Sequence, residues 1–233
     1  MTRDGIQALI AEDVRLRGLK RELDSRAREF EAAQNPAEKR FDPGHDLAHS
    51  LRVAIWTIRL GQSRLDPACA IAAALLHDVV NVPKDSPDRS RASELSADYA
   101  ASILPKLGFA QSEVEEICEA VREHSFSRGG KPTRLLGKCL QDADRLESLG
   151  SIGIMRCIST GTLMKAHYFH PSDPWAQKRE LDDRKFSVDH FFTKLFKLPE
   201  LMNTSTGREE ADRRVETMKL FLQHLGEELG DPL

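Results

Sequence analysis

In the stretch A-I-A-A-A-L-L-H-D, seven small or aliphatic residues from Ala70 run straight into His77 and Asp78. A helix this apolar on nearly every face belongs in an interior. An ionisable pair at its end is costly to bury without compensation. Imidazole and carboxylate are both good ligands for a divalent ion, which supplies that compensation. A hydrogen-bonded His77–Asp78 pair near a helix C-terminus fits the same residues, and taken alone the stretch leaves both chemistries open.

Other ionisable residues recur at spacings that bear on the choice. His45 and His49 are four apart in H-D-L-A-H-S-L-R-V, one turn from each other on a helix face, with Arg52 three further along it. Such a pair can chelate or can line a polar rim. The segment after Asp78 carries Lys84, Arg89 and Arg91 among Pro83 and Pro87, which suits either an anionic substrate or ordinary solvation. His124 closes a helix opened by the capping box Ser112-x-x-Glu115, where a histidine also suits the helix dipole. In L-L-G-K-C-L-Q-D-A-D-R-L the buried face reads Leu135, Leu136, Cys139, Leu140, Ala143 and Leu146. Asp142 and Asp144 are about 200° apart around that helix, so they cannot share a direction. Asp144 reaches the interior from the edge of the face, and one of the two is left facing solvent or standing behind a ligand.

The elements that must position these groups all read as helices. Residues 6 to about 33 form one amphipathic helix with Ile6, Leu9, Ile10, Val14, Leu16, Leu19, Leu23, Ala27 and Phe30 on its stripe, ended by Asn35-Pro36. This divides the chain into an N-terminal helix, 1–35, packed on a domain spanning 36–233. Within that domain a helix runs from the Asp42-Pro43-Gly44 turn to Gly61, and Asp66-Pro67 starts the apolar helix. Ser93–Leu104, the capping-box helix and the Asp142 helix follow, with Gly150 and Gly153 permitting close backbone packing. Residues 160 to about 186 read as a long irregular excursion, functional or mobile. Its Tyr168, Phe169 and Trp175 could stack on a base or pack a loop hairpin. Val188–Leu198 and Arg208–Leu229 complete a chain in which no segment has strand character, so the fold class is all-α.

A net charge of -3 with pI near 6.3 offers no field for a nucleic-acid polymer. Cys69, Cys118, Cys139 and Cys157 stand far apart with no C-x-x-C pair, so neither a zinc ribbon nor a disulfide framework is expected, and they read as small buried hydrophobes. The N-terminus lacks an apolar leader and no run approaches a membrane span. A cytoplasmic protein is expected.

The ordered set His49, then His77-Asp78, then Asp144, each on its own helix, resembles the HD superfamily of metal-dependent phosphohydrolases. The segments A-A-L-L-H-D, E-H-S-F-S, Q-D-A-D-R-L-E-S-L-G-S-I-G-I-M-R and D-H-F-F-T-K-L-F-K-L are similar to its YedJ/YpgQ-like bacterial branch, over residues 40 to 229. The resemblance implies an HD-domain helical bundle and one divalent ion, Mn²⁺, Mg²⁺, Co²⁺ or Ni²⁺, held by His49, His77, Asp78 and Asp144. Asp144 rather than Asp142 matches the final ligand, because it precedes the R-L segment. His45 would line the wall of the site. Lys84 leads the residues expected to clamp substrate phosphates, followed by Arg52, Arg145 and His124. Asp78, Lys84 and His124 are the expected catalytic groups. Where some nucleotidases of the superfamily carry a glutamate three residues beyond the aspartate of the pair, this chain has Asn81. That leaves the general base to Asp78 or to the ion and its water.

The resemblance implies hydrolysis of a phosphoester or pyrophosphate bond in a nucleotide or small phosphorylated metabolite by metal-activated water. A nucleoside triphosphate pyrophosphohydrolase is one form of this. Two other classes compete: a regulatory domain that binds metal and nucleotide without significant turnover, and a scaffold whose histidines bond only one another. Monomer and homodimer are equally compatible with the sequence.

Overall fold

The computed structural model describes residues 1–33, 47–80, 91–125 and 130–233. Among them all regular structure is helical, apart from one isolated bridge between His167 and Phe186, as the all-α reading requires. The chain forms two compact units, Met1–Ala143 and Asp144–Leu233, divided within a single helix.

The first unit is built on α4 (Pro67–Leu76). Asp66 caps it, its carboxylate accepting from the Cys69 amide at 2.9 Å, and Pro67 occupies a first-turn position where no amide hydrogen is needed. Every α4 residue from Ala68 to Leu76 is buried. It is covered by α1 (Arg3–Glu12), α2 (Val14–Ala33), α3 (Leu47–Gly61), α5 (Ala92–Ile103) and α6 (Gln111–Glu123). Alanines at positions 68, 70, 72, 73 and 74 let several helices approach one axis closely, while Ile71, Leu75 and Leu76 fill the spaces between them.

The N-terminal helix expected from residue 6 is two helices, not one. Asp13 is extended between α1 and α2, and its carboxylate accepts from the backbone amides of Arg15 at 2.8 Å and Leu16 at 3.4 Å. That acceptor opens α2. Arg15 pairs with Asp13 at 2.7 Å and with Glu113 of α6 at 2.9 Å. The break turns the apolar stripe: Ile6, Ile10, Leu16 and Leu19 are buried, but Val14 is exposed. The start of α6 also differs from the Ser112 capping box. The helix begins two residues earlier, with Glu113 reaching back to the Ala110 amide at 2.7 Å, because Glu113 is drawn into the Arg15 pair as well. α7 (Leu135–Leu146) carries a buried face of Leu136, Cys139, Leu140, Ala143 and Leu146.

The second unit contains α8 (Gly150–Leu163), α9 (Asp189–Thr193), a 3-10 segment (Leu195–Leu201) and α10 (Ser205–Leu229). Gly150 opens α8 at φ 69, a left-handed conformation suited to glycine, and a Cβ on Gly153 would lie 2.3 Å from the Ser148 carbonyl. α8 continues to Leu163, taking in the first four residues of the expected irregular excursion, and α10 starts at Ser205, three residues before the expected Arg208. The excursion is tied down. Buried Asp189 accepts from both terminal nitrogens of Arg179, at 2.6 and 2.8 Å, and from the Asp182 amide at 2.7 Å. Arg179 also lies over the Phe186 ring, 4.7 Å from its centroid. Trp175 is buried, its indole N–H donating to the Asp231 carbonyl at 2.7 Å, so it is committed to packing and not to base stacking.

Arg179→Met leaves the Asp189 carboxylate buried with one amide donor, and is expected to lower the unfolding free energy by about 3 kcal/mol in chemical denaturation. Hydrogen bonds from Arg15 hold the Asp13 carboxyl below its ordinary range. Its contribution is therefore present above the unfolded pKa and lost as pH falls through the lower, folded one. Asp13→Ala is expected to cost about 1 kcal/mol at pH 7, and its difference from wild type, followed by urea unfolding, should narrow below about pH 4.

Candidate metal centre

Two helix ends deliver histidines by the same local device. His77 is the residue immediately after α4, and its Nδ1–H donates to the Ala74 carbonyl at 2.7 Å. His124 immediately follows α6, with Nδ1–H donating to the Val121 carbonyl at 2.6 Å. Each bond satisfies one of the carbonyls left over at a helix C-terminus. It also places the neutral imidazole's proton on Nδ1 and leaves a lone pair on Nε2. Both rings are buried, and they meet edge to face with centroids 5.0 Å apart.

The two Nε2 nitrogens converge with further groups. His49, buried in the first turn of α3, brings its Nε2 to 3.3 Å from His77 Nε2. Asp78, in the turn after α4, presents one carboxylate oxygen to His77 Nε2 and the other to His124 Nε2, each at 3.5 Å. Asp144 follows Ala143 on α7. One ligand atom each from His77, Asp78 and His124 lies within 4.8 Å of the others, and His49 adds a third imidazole nitrogen beside His77.

This arrangement fits a divalent ion. Bonds of about 2.1 Å at octahedral or tetrahedral angles separate neighbouring donors by roughly 3.0–3.4 Å. The His49–His77 nitrogen separation of 3.3 Å matches that spacing. The backbone bonds at Nδ1 of His77 and His124 are the orienting contacts that metal-bound histidines ordinarily have. A third group, Asp66, Cys69 and Glu113, also has clustered donor atoms, but Asp66 caps α4 and Glu113 binds Arg15 and the Ala110 amide. Burial, with the neighbouring carboxylates, pushes the Cys69 thiol up to about 12, which disfavours the thiolate a metal would need. Cys139 and Cys157 are likewise pushed up to about 12 by burial.

The remaining expected site residues are distributed unevenly. Arg52 lies on α3, one turn beyond His49, and is half-buried. Arg145 donates to the Leu201 backbone carbonyl. Arg91 is 3.8 Å from Glu94. Lys84, His45, Asn81 and Arg89 lie outside the described residues. Asp142 is fully buried, so of the two roles open to the second aspartate of α7, solvent exposure is excluded. Gln141, which the sequence does not single out, is buried, and its amide donates to the carbonyls of Glu123 and Gly130 at 3.1 and 3.0 Å. A glutamine on the buried face of a helix was the available signal.

Comparison with known proteins agrees with this geometry. The HD domain family model matches residues 46–149. YpgQ of Bacillus subtilis (strain 168), an uncharacterized protein, is 31% identical over 191 residues, covering 80% of this chain and 85% of its own. The chain belongs to the HD-domain family. Among solved HD structures, that of B. subtilis YpgQ in complex with ADP aligns with a TM-score of 0.63 at 30% identity, covering 79% of this chain and 87% of that one. A protein described as a predicted HD superfamily hydrolase from an uncultured Thermotogales bacterium aligns at 0.57 and 30% identity, covering 89% and 91%. An HD-superfamily hydrolase from Bacillus thuringiensis aligns at 0.64 and 25% identity, covering 93% and 98%. HD domains are metal-dependent, and the cluster around His77 supplies the side chains to hold an ion in this one. No helix among the described residues is long and apolar enough to cross a membrane.

His49→Ala and His77→Ala are each expected to weaken Mn²⁺ binding by more than about 100-fold in calorimetric titration. Cys69→Ser should bind the ion as wild type does, which separates the His77 cluster from the Asp66–Cys69–Glu113 group.

Proposed function

We propose that this HD domain is a metal-dependent phosphohydrolase that cleaves a phosphoester or pyrophosphate bond of a nucleotide or small phosphorylated metabolite. The observation that carries the reading is the position of Asp78, with one oxygen toward His77 and the other toward His124, at 3.5 Å each. His49, His77, Asp78 and Asp144 would hold one divalent ion, with Mn²⁺, Mg²⁺, Co²⁺ and Ni²⁺ all compatible with two imidazoles and two carboxylates. When bound, the ion supplies Lewis acidity toward a phosphoryl oxygen and lowers the pKa of water.

The chain's own groups then divide the remaining tasks. His77 donates its Nδ1 proton to Ala74 and so keeps Nε2 as a lone pair directed at His49 and Asp78. His124 has the same tautomer, so its Nε2 can take a proton that arrives at the facing Asp78 oxygen, or return one to a leaving group. Burial of the three histidines keeps bulk water away from that exchange. Arg52 on α3 and Lys84 in the segment after Asp78 would bind the phosphates, neutralising charge that the ion does not reach. Arg145 would contribute from beside Asp144, though it already serves the Leu201 carbonyl. The ADP complex of the 30% identical YpgQ supports a nucleotide as the first substrate class to test, with nucleoside triphosphates included because either bond type is open.

Purified protein should carry about one ion per chain and release phosphate or pyrophosphate from at least one member of a panel of nucleotides, sugar phosphates and generic phosphoesters. Asp78→Ala is expected to lose both ion and turnover. His124→Gln should keep the ion and lower kcat by roughly 100-fold. One ion per chain without turnover across the whole panel would overturn the enzyme in favour of a metal- and nucleotide-binding sensor.

A further inference from the structure

His124 directly follows α6 with helical backbone angles, and its Nδ1 bond to Val121 sets the tautomer. Where its Nε2 points therefore depends on where the end of α6 is held, and that helix end has to be fixed against the cluster.

Gln141 meets that need from α7. Its side-chain amide has two N–H donors, and they go to two carbonyls that bracket His124 in sequence: Glu123, the last residue of α6, at 3.1 Å, and Gly130 at 3.0 Å. Glu123 and Gly130 are themselves in close apposition, since a Cβ on Gly130 would fall 2.5 Å from the Glu123 carbonyl oxygen. Only glycine permits that approach, and the approach brings both acceptors within reach of one amide. Gln141 is buried, so the two bonds form away from competing water. The amide thus fixes the peptide immediately preceding His124, using the helix that also carries Asp144.

We infer that Gln141 is a positioning residue that aims His124 Nε2 at Asp78 by clamping the carbonyls of Glu123 and Gly130. The inference deepens the hydrolase reading and rests on it for the role of His124, while the placement of the ring can be measured without any reaction. Gln141→Met keeps the length and volume of the side chain and removes both donors.

The test follows the histidine side chains of the whole protein by long-range ¹H–¹⁵N NMR at about pH 8, above the ordinary imidazole range, alongside turnover on the nucleotide panel. In wild type, His124 and His77 should each show the Nδ1–H tautomer. In Gln141→Met, His124 should broaden or mix tautomers while His77, anchored on α4, stays unchanged. If wild type turns over substrate, Gln141→Met should lower kcat by roughly tenfold to 100-fold with little change in KM. Combined with His124→Gln, it should cost no more than His124→Gln alone, because both act through one ring. An unchanged His124 signal in Gln141→Met would overturn the inference. So would equal disturbance of His124 and His77 accompanied by a fall in Tm, or additive losses in the double variant. A shifted His124 in a protein with no turnover would uphold the positioning role and reject the hydrolase.

Discussion

The arrangement of this protein depends on a helix with no exposed face. α4 is buried from Ala68 to Leu76, so its C-terminus lies inside the protein, where leftover carbonyls have no water to bond. His77 answers that demand by donating Nδ1–H to Ala74. One bond therefore caps the helix, selects the tautomer and directs the ligating nitrogen. The rest of the cluster is arranged around that nitrogen: His49 from α3 faces it, Asp78 follows it in the chain, and His124 meets it edge on.

Building the site from helix ends gives it precision at low conformational cost. Residues just outside a helix keep a defined backbone path, yet their side chains can point along the axis and not only around it. His77 and His124 use this position in the same way, each bonding to the carbonyl three residues earlier. The carboxylate oxygens and imidazole lone pairs gathered at the cluster face one another as electron-pair donors, which a divalent ion between them would satisfy. Elsewhere the chain handles buried charge by pairing: Arg179 satisfies Asp189 through two bonds, and Arg15 joins Asp13 to Glu113. Those pairs hold loops and helix ends in place and leave no position open for a ligand.

Local helix signals were legible where one residue had one job. Asp66-Pro67 announced the start of α4 and the last helix was expected to end at Leu229, and both hold. Signals failed where a side chain had two partners. Glu113 outcompeted the Ser112–Glu115 box because it caps α6 and binds Arg15 at once. Asp13 interrupts a stripe that looks continuous, since its carboxylate serves as cap and ion-pair partner together. Neither partner is visible in a window of neighbouring residues. The excursion after α8 looked loose for a similar reason: Arg179 and Asp189 are ten apart in sequence, with nothing local to show that they pair.

The amino-acid sequence by itself determined the all-α class, the burial of α4, and the ordered series His49, His77-Asp78 and Asp144, because periodicity, capping chemistry and residue type are local properties. Only the tertiary structure decided that His124 faces Asp78, that Asp142 is buried, and that Gln141 spans Glu123 and Gly130. Those relations depend on the rotation of one helix against another to within a few ångströms. That rotation is set by how alanines and leucines fill a shared interior, and no spacing along a single segment encodes it.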